Sequence, residues 1–486
     1  MNLRVQSTGL PGWSLSRENV SSAGGGAPTS ETTCAKTVSS LWRHQEEAVC
    51  FALDRPATLL NLGLGAGKTR VALTLLERWG ARNVLILAPK AVVTTRTWQR
   101  EADRMDSSIR PIAPSGDTKK KLNIARSASS PMCWVFNYEA IWRKGLKEWA
   151  LGQEWDAVVL DESTKIKSAG GVTSRFVAQL TKKAKRRLAL TGTPLAHSPL
   201  DAYGQFRFLD PEIYGTSVTR FRNRYAEVVQ RKTRDGRSYP EIVDWVNMDE
   251  FARKFHSITF TVRSEDVLDL PPLTVDRITF ELEPKTMKVY REMKKHLAVM
   301  INDEPVLAAN GGVALLRLQQ ITGGYARGID GNYIDTGDQS KLVALSDLLE
   351  AMGEVPVVIW TRFTRDVECI RDLVEGLGRT PYELSGRINS VDLWKLSPAG
   401  VLIANIQAGA RGVDFTHGRY AIYYSIGFSL DDYEQSLKRL HRPGQEHPVT
   451  TYQLAAKGTV DEYVYRAIDE RRDLVKAALE GVRNES

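Results

Sequence analysis

Cysteine is scarce in this chain of 486 residues. The four present, Cys34, Cys50, Cys133 and Cys369, form no Cys-x-x-Cys pair and stand near no histidine cluster, which argues against a zinc site and against a disulfide framework. A reducing cytosol is the simplest home for such a chain. Long apolar runs are also missing. No stretch approaches the roughly 18 consecutive apolar residues of a membrane span, and no apolar core follows Arg4, so neither a membrane anchor nor a secretory signal is expected. The first 38 residues lack hydrophobic periodicity altogether: "SSAGGGAPTSETT" is the composition of a disordered tail. No short-period repeat is present.

Charged residues make up 26% of the chain and apolar ones 42%, the balance of a soluble globular protein. The length predicts roughly two to four domains. Lysine and arginine exceed the acids by 66 to 58, a net charge of +8. That sign suits a polyanionic partner, although a diffuse excess is also common in proteins that touch no nucleic acid.

From Leu41 onward, short β-rich apolar runs alternate with helical patterns: "ATLLNL", "NVLILAP", "MCWVFNY", "DAVVLDE" and "RRLALTG". This alternation predicts an α/β lobe with a parallel sheet and crossover helices. Longer helical and polar stretches follow Asp210, until Pro271-Pro272 breaks the chain inside "RSEDVLDLPPL". A second strand series then appears: "VPVVIWT", "TPYELSG", "GVLIAN", "YAIYYS" and "TTYQLAA". The expected organisation is a tail (1–38), a first lobe (39–262), a linker (263–274) and a second lobe (275–486). Val460, Tyr463, Val464, Ala467 and Ile468 form a helical stripe expected to pack on the second sheet.

Between the strand "ATLLNL" and the helix "TRVALTLLERW" lies "GLGAGKT", the context a phosphate-binding loop requires. Backbone N–H groups freed by the glycines turn onto phosphate, Lys68 reaches the terminal phosphates and Thr69 can ligate Mg2+. The nucleotide-contacting set is Gly63, Gly65, Ala66, Gly67, Lys68, Thr69 and Arg70. The strict pattern wants glycine at position 62, where this chain has Leu62 and a glycine one place late. The bland alternative is a glycine-rich turn with a chance Gly-Lys-Thr. "DAVVLDEST" presents Asp161 and Glu162 at the carboxyl end of a buried strand, the edge where ligands bind in open α/β sheets. Asp161 is expected to hold Mg2+ and Glu162 to activate water; a solvated acidic pair is the alternative. In "YEQSLKRLHRPGQ", Gln435, Arg439 and Arg442 follow an i, i+4, i+7 spacing that puts all three on one helical face. Two guanidiniums so placed can act as arginine fingers, or simply as a solvated basic face.

Taken in order, the phosphate loop, "LDEST", "LALTGTPLAHSPLDAYGQFRFLDP", "RSEDVLDLPPLTVDRITFELEPKTMKVY", "VVIWTRFT", "AGARGVDFT" and "QSLKRLHRPGQ" resemble a superfamily-two helicase, and most of all its Swi/Snf branch of ATP-driven duplex-DNA translocases. The resemblance spans roughly Leu41 to Leu479. It implies two tandem RecA-like lobes, with helical protrusions around 211–255 and 286–340 that grip duplex DNA. It also implies ATP hydrolysis with Mg2+, Gln45 of "LWRHQ" as adenine contact, and "LAPKAVVTTRTWQRE" as a DNA-backbone segment. Thr191, Gly192 and Thr193 resemble the motif that links nucleotide state to lobe movement. Gly409, Arg411, Gly412 and Asp414 resemble the second-lobe loop that meets DNA and nucleotide.

Two departures stand out. Ser163-Thr164 replaces the family's usual small residue and His, and "ARGVD" is worded more like the RNA-helicase branch. The stripped-down chain resembles small members carried by bacteria and their viruses, which implies the cytoplasm of a bacterial or phage-infected cell. DNA, double-stranded, is the expected partner, with RNA as an alternative; no membrane is expected, a monomer is, and no protein partner is specified. The rival functions are strand separation on DNA or RNA and an ATP-switched nucleic-acid-binding accessory protein. A small-molecule kinase would need neither the second sheet nor "HRPGQ". For DNA contact, Arg220 to Arg237 with Phe221 and Tyr225 is preferred to the run Lys182 to Arg187. Trp42, Trp98 and Trp360 are expected in the core or in lobe packing.

Overall fold

The computed structural model describes residues 41–480 apart from 64, 129–131, 196–197, 233–237, 303 and 410–412. The tail, with Cys34, therefore lies outside the described residues.

Each strand series becomes a parallel sheet. The first contains β1 (Ala57–Leu62), β2 (Val84–Ala88), β3 (Pro111–Ile112), β4 (Cys133–Asn137), β5 (Trp155–Asp161) and β6 (Ala184–Thr191). A hairpin, β7 (Ala226–Lys232) and β8 (Ser238–Trp245), then intervenes before β9 (Thr259–Val262) completes the sheet. Its seven strands run in the order β3-β4-β2-β5-β6-β1-β9. Leu85 and Val158 pack into one core while Val84, Ile86 and Val159 pack into another. The sheet is thus apolar on both faces, as a parallel sheet covered by crossover helices must be.

The second sheet begins with β10 (Leu273–Phe280). Two hairpins follow, β11 (Ala298–Ile301) with β12 (Glu304–Leu307) and β13 (Tyr325–Arg327) with β14 (Tyr333–Asp335). The sheet resumes with β15 (Val357–Thr361), β16 (Pro381–Leu384), β17 (Val401–Asn405), β18 (Tyr420–Tyr423) and β19 (Val449–Ala456), in the order β10-β19-β18-β15-β17-β16. Val358 and Leu402 face one core, Val357 and Ile403 the other. The insertions are helical as expected, but they also carry these three hairpins, which alternate too weakly to be read from sequence.

The C-terminal helix Val460–Glu480 buries Val460, Val464 and Ile468, but Tyr463 is 55% exposed and Tyr465 takes its place in the core. The carboxyl ends of β1, β5 and β6 carry the phosphate loop, the acidic pair and Thr191. These are the edges that face the second lobe.

Candidate nucleotide cleft between two lobes

A cleft of about 1010 Å³ opens between the sheets, lined from the first lobe by Gly65, Gly67, Lys68, Thr69, Arg70, Asp161 and Glu162 and from the second by Gln435, Arg439 and Arg442. Gly65 and Gly67 have φ of +81° and +85°, the left-handed backbone glycine tolerates best. Gly67 is the N-cap of the helix Lys68–Arg78, whose first N–H groups have no intrahelical partner and so can receive phosphate. Gly63 and Ala66 are buried behind the loop and do not line the cleft.

The loop is held from behind. His44 hydrogen-bonds through Nε2 to the Ala66 carbonyl at 3.0 Å, and the Gln45 amide donates to the same carbonyl at 3.2 Å. Gln45 Oε1 accepts from the Trp42 N–H at 3.1 Å. In this structure the amide expected to read adenine is thus engaged with the phosphate loop and its own helix start. Trp42 is 49% exposed and lines the cleft, so it is not a core residue.

Asp161 is buried and accepts from Trp98 Nε1–H at 3.0 Å, while its backbone carbonyl accepts from the Tyr138 hydroxyl at 2.9 Å. Burial, and then the neighbouring charge of Glu162, push the Asp161 carboxyl up to about 6, against the Trp98 hydrogen bond and the Lys68 charge. Glu162 has φ +53°, an unfavourable conformation for a side-chain-bearing residue and of the kind found at functional sites. Lys68 Nζ donates to the Leu62 carbonyl at 3.2 Å. Burial lowers its ammonium below the ordinary value, opposed by Glu162 and Asp161. A buried carboxyl with one side-chain donor, beside the Thr69 hydroxyl on the same wall, is an oxygen donor set that fits Mg2+. Among the described residues no group of three or more His, Cys, Asp or Glu could hold a metal by itself.

The second wall is the helix Leu430–Leu440 and the turn after it. The helix ends before Arg442, which therefore reaches the cleft from the turn rather than from the helical face the spacing predicts. Arg439 is buried; burial, then the like charge of Arg442, lower its guanidinium to about 10, opposed by Glu162 and Asp414. Arg442 Nε is buried with no hydrogen-bond partner among the described residues. Gln435 donates to Asp431 at 2.9 Å, and Arg70 pairs with Glu101 at 2.9 Å. Asp414 does not line the cleft but acts on Arg439 from beside it. Gly409 ends the short helix Ile406–Gly409, and Arg411 and Gly412 lie outside the described residues.

The basic segments divide by their partners. Lys183 and Lys185 are paired with Glu154 and Asp156 at 2.8 Å, and Arg186 and Arg187 donate to backbone carbonyls. Phe221 and Tyr225 are each 2% exposed and pack with Tyr214 and Phe251, so they anchor the insertion and present no stacking surface. Residues 233–237 of that segment lie outside the described residues. A different cluster stands at the carboxyl edge of the first sheet: Lys121, whose ammonium is lowered by burial and by the like charges of Lys90 and Arg143. No helix among the described residues is long and apolar enough to cross a membrane.

Sequence reading missed Trp98 as the partner of Asp161, because a tryptophan inside an apolar pattern reads as core. It also missed Gln205, the buried partner to which the Ser163 hydroxyl donates at 2.7 Å.

A sequence model described as the SNF2-related domain matches residues 44–321, more than half of the chain. The chain is 23% identical over 465 residues to "Putative protein p41" of Acyrthosiphon pisum secondary endosymbiont phage 1, covering 90% of this chain and 98% of that protein. It is 22% identical over 462 residues to "Uncharacterized ATP-dependent helicase MG018" of Mycoplasma genitalium, covering 91% of this chain and 42% of that protein. It is 24% identical over 453 residues to "DNA annealing helicase and endonuclease ZRANB3" of Bos taurus, covering 90% and 40%. The chain thus spans nearly all of the phage protein and about two fifths of the two helicases. Among solved structures, the Sulfolobus solfataricus SWI2/SNF2 ATPase core in complex with dsDNA is similar at a TM-score of 0.42 and 18% identity, covering 91% of this chain and 94% of that one.

Proposed function

This chain belongs to the SNF2-related family, and on that premise we propose that it is an ATP-driven translocase that moves along double-stranded DNA. The observation that carries the reading is the opposition across one cleft of Lys68, Asp161 and Glu162 to Gln435, Arg439 and Arg442.

Phosphoryl transfer to water needs positioning and neutralisation of charge more than covalent chemistry. The Gly65–Gly67 backbone and Lys68 bind the β- and γ-phosphates. Thr69 and Asp161 would hold Mg2+, which would supply neutralising charge at the phosphates. Glu162 orients the attacking water and takes its proton. Arg439 and Arg442 arrive from the other lobe and stabilise the charge on the transferring group, so the complete site forms only when the lobes are closed. Hydrolysis removes the bridging charge and releases the lobes, and alternate grips on DNA turn that cycle into steps.

The named activities of two relatives, a "DNA annealing helicase" and a "chromodomain-helicase-DNA-binding protein 1-like" from Danio rerio, support DNA as the track. The cluster Lys90, Lys121 and Arg143 supports it physically, since like charges held together are relieved by a phosphate backbone. Displacement of a triplex-forming strand from duplex DNA tests translocation directly: ATP-dependent displacement is expected, and its absence with active protein contradicts it.

Strand separation is the second reading, and one observation favours it. Among the described residues the β7–β8 hairpin pairs only with itself, and its described residues are largely exposed, as a separating pin would be. Unwinding of a tailed duplex without triplex displacement would select it.

A further inference from the structure

The short β13–β14 hairpin turns through Gly331, at φ +89°, and its two faces differ. Ala326 and Ile334 pair across it and are buried in the second-lobe core, so the next pair, Arg327 and Tyr333, faces outward. Arg327 Nε donates to the Gly331 carbonyl at 2.9 Å. Packed against β13 is the helix Gly311–Thr322, which carries Arg317 half-buried, its Nε without a hydrogen-bond partner among the described residues. One buried side chain ties the two arginines together: Gln320 Oε1 accepts from Arg317 Nη1–H at 2.9 Å and from the Arg327 backbone N–H at 3.2 Å. Burial, then the like charge of Arg327, hold the Arg317 guanidinium below its ordinary value, opposed by the Tyr333 hydroxyl. Elsewhere on this lobe Arg365 and Arg472 meet carboxylates at 2.9 and 3.0 Å. Among the described residues Arg317 and Arg327 meet none.

We propose that Arg317, Arg327, Ile329 and Tyr333 form a docking site for an acidic segment of a partner protein. None of the four lines the nucleotide cleft, so the site is separate from the ATPase reading. Charge is the first argument. A carboxylate placed between the two guanidiniums relieves their repulsion and accepts charge-assisted hydrogen bonds from both. Composition is the second: Ile329 is 64% exposed at the turn and Tyr333 is 42% exposed, and apolar and aromatic surface beside arginine is what protein-binding hot spots are made of. The site therefore fits a segment in which acidic and apolar residues adjoin. Duplex DNA fits it less well, because a phosphate backbone takes a row of cations, whereas here two stand between the carboxylates of Asp330 in the turn and Asp335 at the end of β14. Both acids are turned to their own backbone, Asp330 accepting from the Asn332 N–H at 3.0 Å and Asp335 from the Gly337 N–H at 2.7 Å, and so leave the arginines uncompensated.

The test is fluorescence anisotropy of the full chain with a labelled synthetic peptide in which glutamates flank a Leu-Trp pair, beside the same peptide with glutamines and a labelled duplex DNA. The acidic peptide is expected to bind at least about tenfold more tightly than its glutamine counterpart. Arg317→Ala, Arg327→Ala and Ile329→Ser should each weaken it about fivefold or more, with duplex-DNA affinity changed less than about twofold. Arg327 and Ile329 are exposed, so these two variants still report if Arg317→Ala fails to fold, and circular dichroism checks each. Failure of the acidic peptide to bind, equal binding of the two peptides, or binding unmoved by Arg327→Ala and Ile329→Ser overturns the proposal. Loss of duplex-DNA affinity in Arg327→Ala with peptide binding intact also overturns it and assigns the arginine pair to the DNA.

Discussion

Gly63 and Ser264 meet so closely that a β-carbon on the glycine would lie 2.1 Å from the serine hydroxyl oxygen and 2.6 Å from its backbone nitrogen. The Gly63 N–H also donates to the Val262 carbonyl at 2.9 Å. The chain leaving the first sheet therefore runs directly against the phosphate loop. This accounts for the late glycine: Leu62 is the buried last residue of β1, and the next position is the one that must lack a side chain. The same segment reaches the second lobe: a β-carbon on Gly65 would lie 2.7 Å from Pro443 Cδ and 3.5 Å from Leu268 Cδ1, and His441 Nε2 hydrogen-bonds to the Pro271 carbonyl at 2.7 Å.

Gly63→Ala should accordingly damage nucleotide binding without touching any residue of the cleft wall. Relief of the contact requires movement of backbone, and overpacking of this kind costs about 1–3 kcal/mol. The expected result is about a tenfold or greater loss of ATP-analogue affinity, with circular dichroism unchanged. Undiminished affinity would mean that the loop and the linker move independently.

Asp161 predicts a conflict between stability and activity. Its folded-state carboxyl lies at about 6 against an ordinary 3.8, so the folded protein holds the proton more tightly than the unfolded chain. Stability from this group is therefore present at low pH and is lost as pH rises from about 4 to 6. Asp161→Asn removes the buried charge, and in metal-free buffer at pH 7.5 it should be more stable than wild type by on the order of 2–3 kcal/mol while losing ATPase activity. The advantage should shrink as pH is lowered through 6 to 4. A variant less stable at pH 7.5 would show that another group already neutralises Asp161.

Arg442 lines the cleft, its buried Nε has no hydrogen-bond partner among the described residues, and a guanidinium fork cannot be copied by an ammonium. Arg442→Ala should reduce kcat by about 10³-fold, and Arg442→Lys should restore only a small part of it. Binding of the non-hydrolysable analogue should change much less in both. Near-normal turnover in Arg442→Lys would reduce the residue to a general positive charge.

Away from the cleft, Lys341 and Asp461 form an ion pair at 3.0 Å with side-chain exposures of 3% and 5%, and Asp461 also accepts from Thr322 at 3.1 Å. Removing one partner strands a buried charge, so Lys341→Met should destabilise the second lobe by about 3–5 kcal/mol. Replacing both partners by apolar residues should cost less than the single change. Chemical denaturation of the two variants decides it.

The strands were legible because parallel strands buried on both faces are continuous apolar runs ending in loop residues, as in "DAVVLD" and "VVIWT". Lys68, Asp161 and Glu162 were legible for the same reason: each stands at a strand end or helix start that local pattern defines. Asp431, Trp98 and Gln205 were not. Their roles depend on partners 238, 63 and 42 residues away, and nothing local marks an aspartate as the acceptor for a threonine on another lobe. Arg442 shows the limit of periodicity, since an i+7 spacing says nothing about whether the helix continues that far. Phe221 and Tyr225 show another, because an aromatic beside arginines reads equally as a stacking platform and as the anchor of an insertion.

A motor driven by ATP on duplex DNA must hydrolyse ATP faster when that DNA is present, which steady-state ATPase reads. The rate should be measured without nucleic acid and with single-stranded DNA, duplex DNA and duplex RNA at one fixed low salt, for wild type and Glu162→Gln. Duplex DNA should stimulate turnover well above the other three conditions, and Glu162→Gln should abolish it. Stimulation by single strands or RNA alone, or turnover indifferent to every nucleic acid, would contradict it.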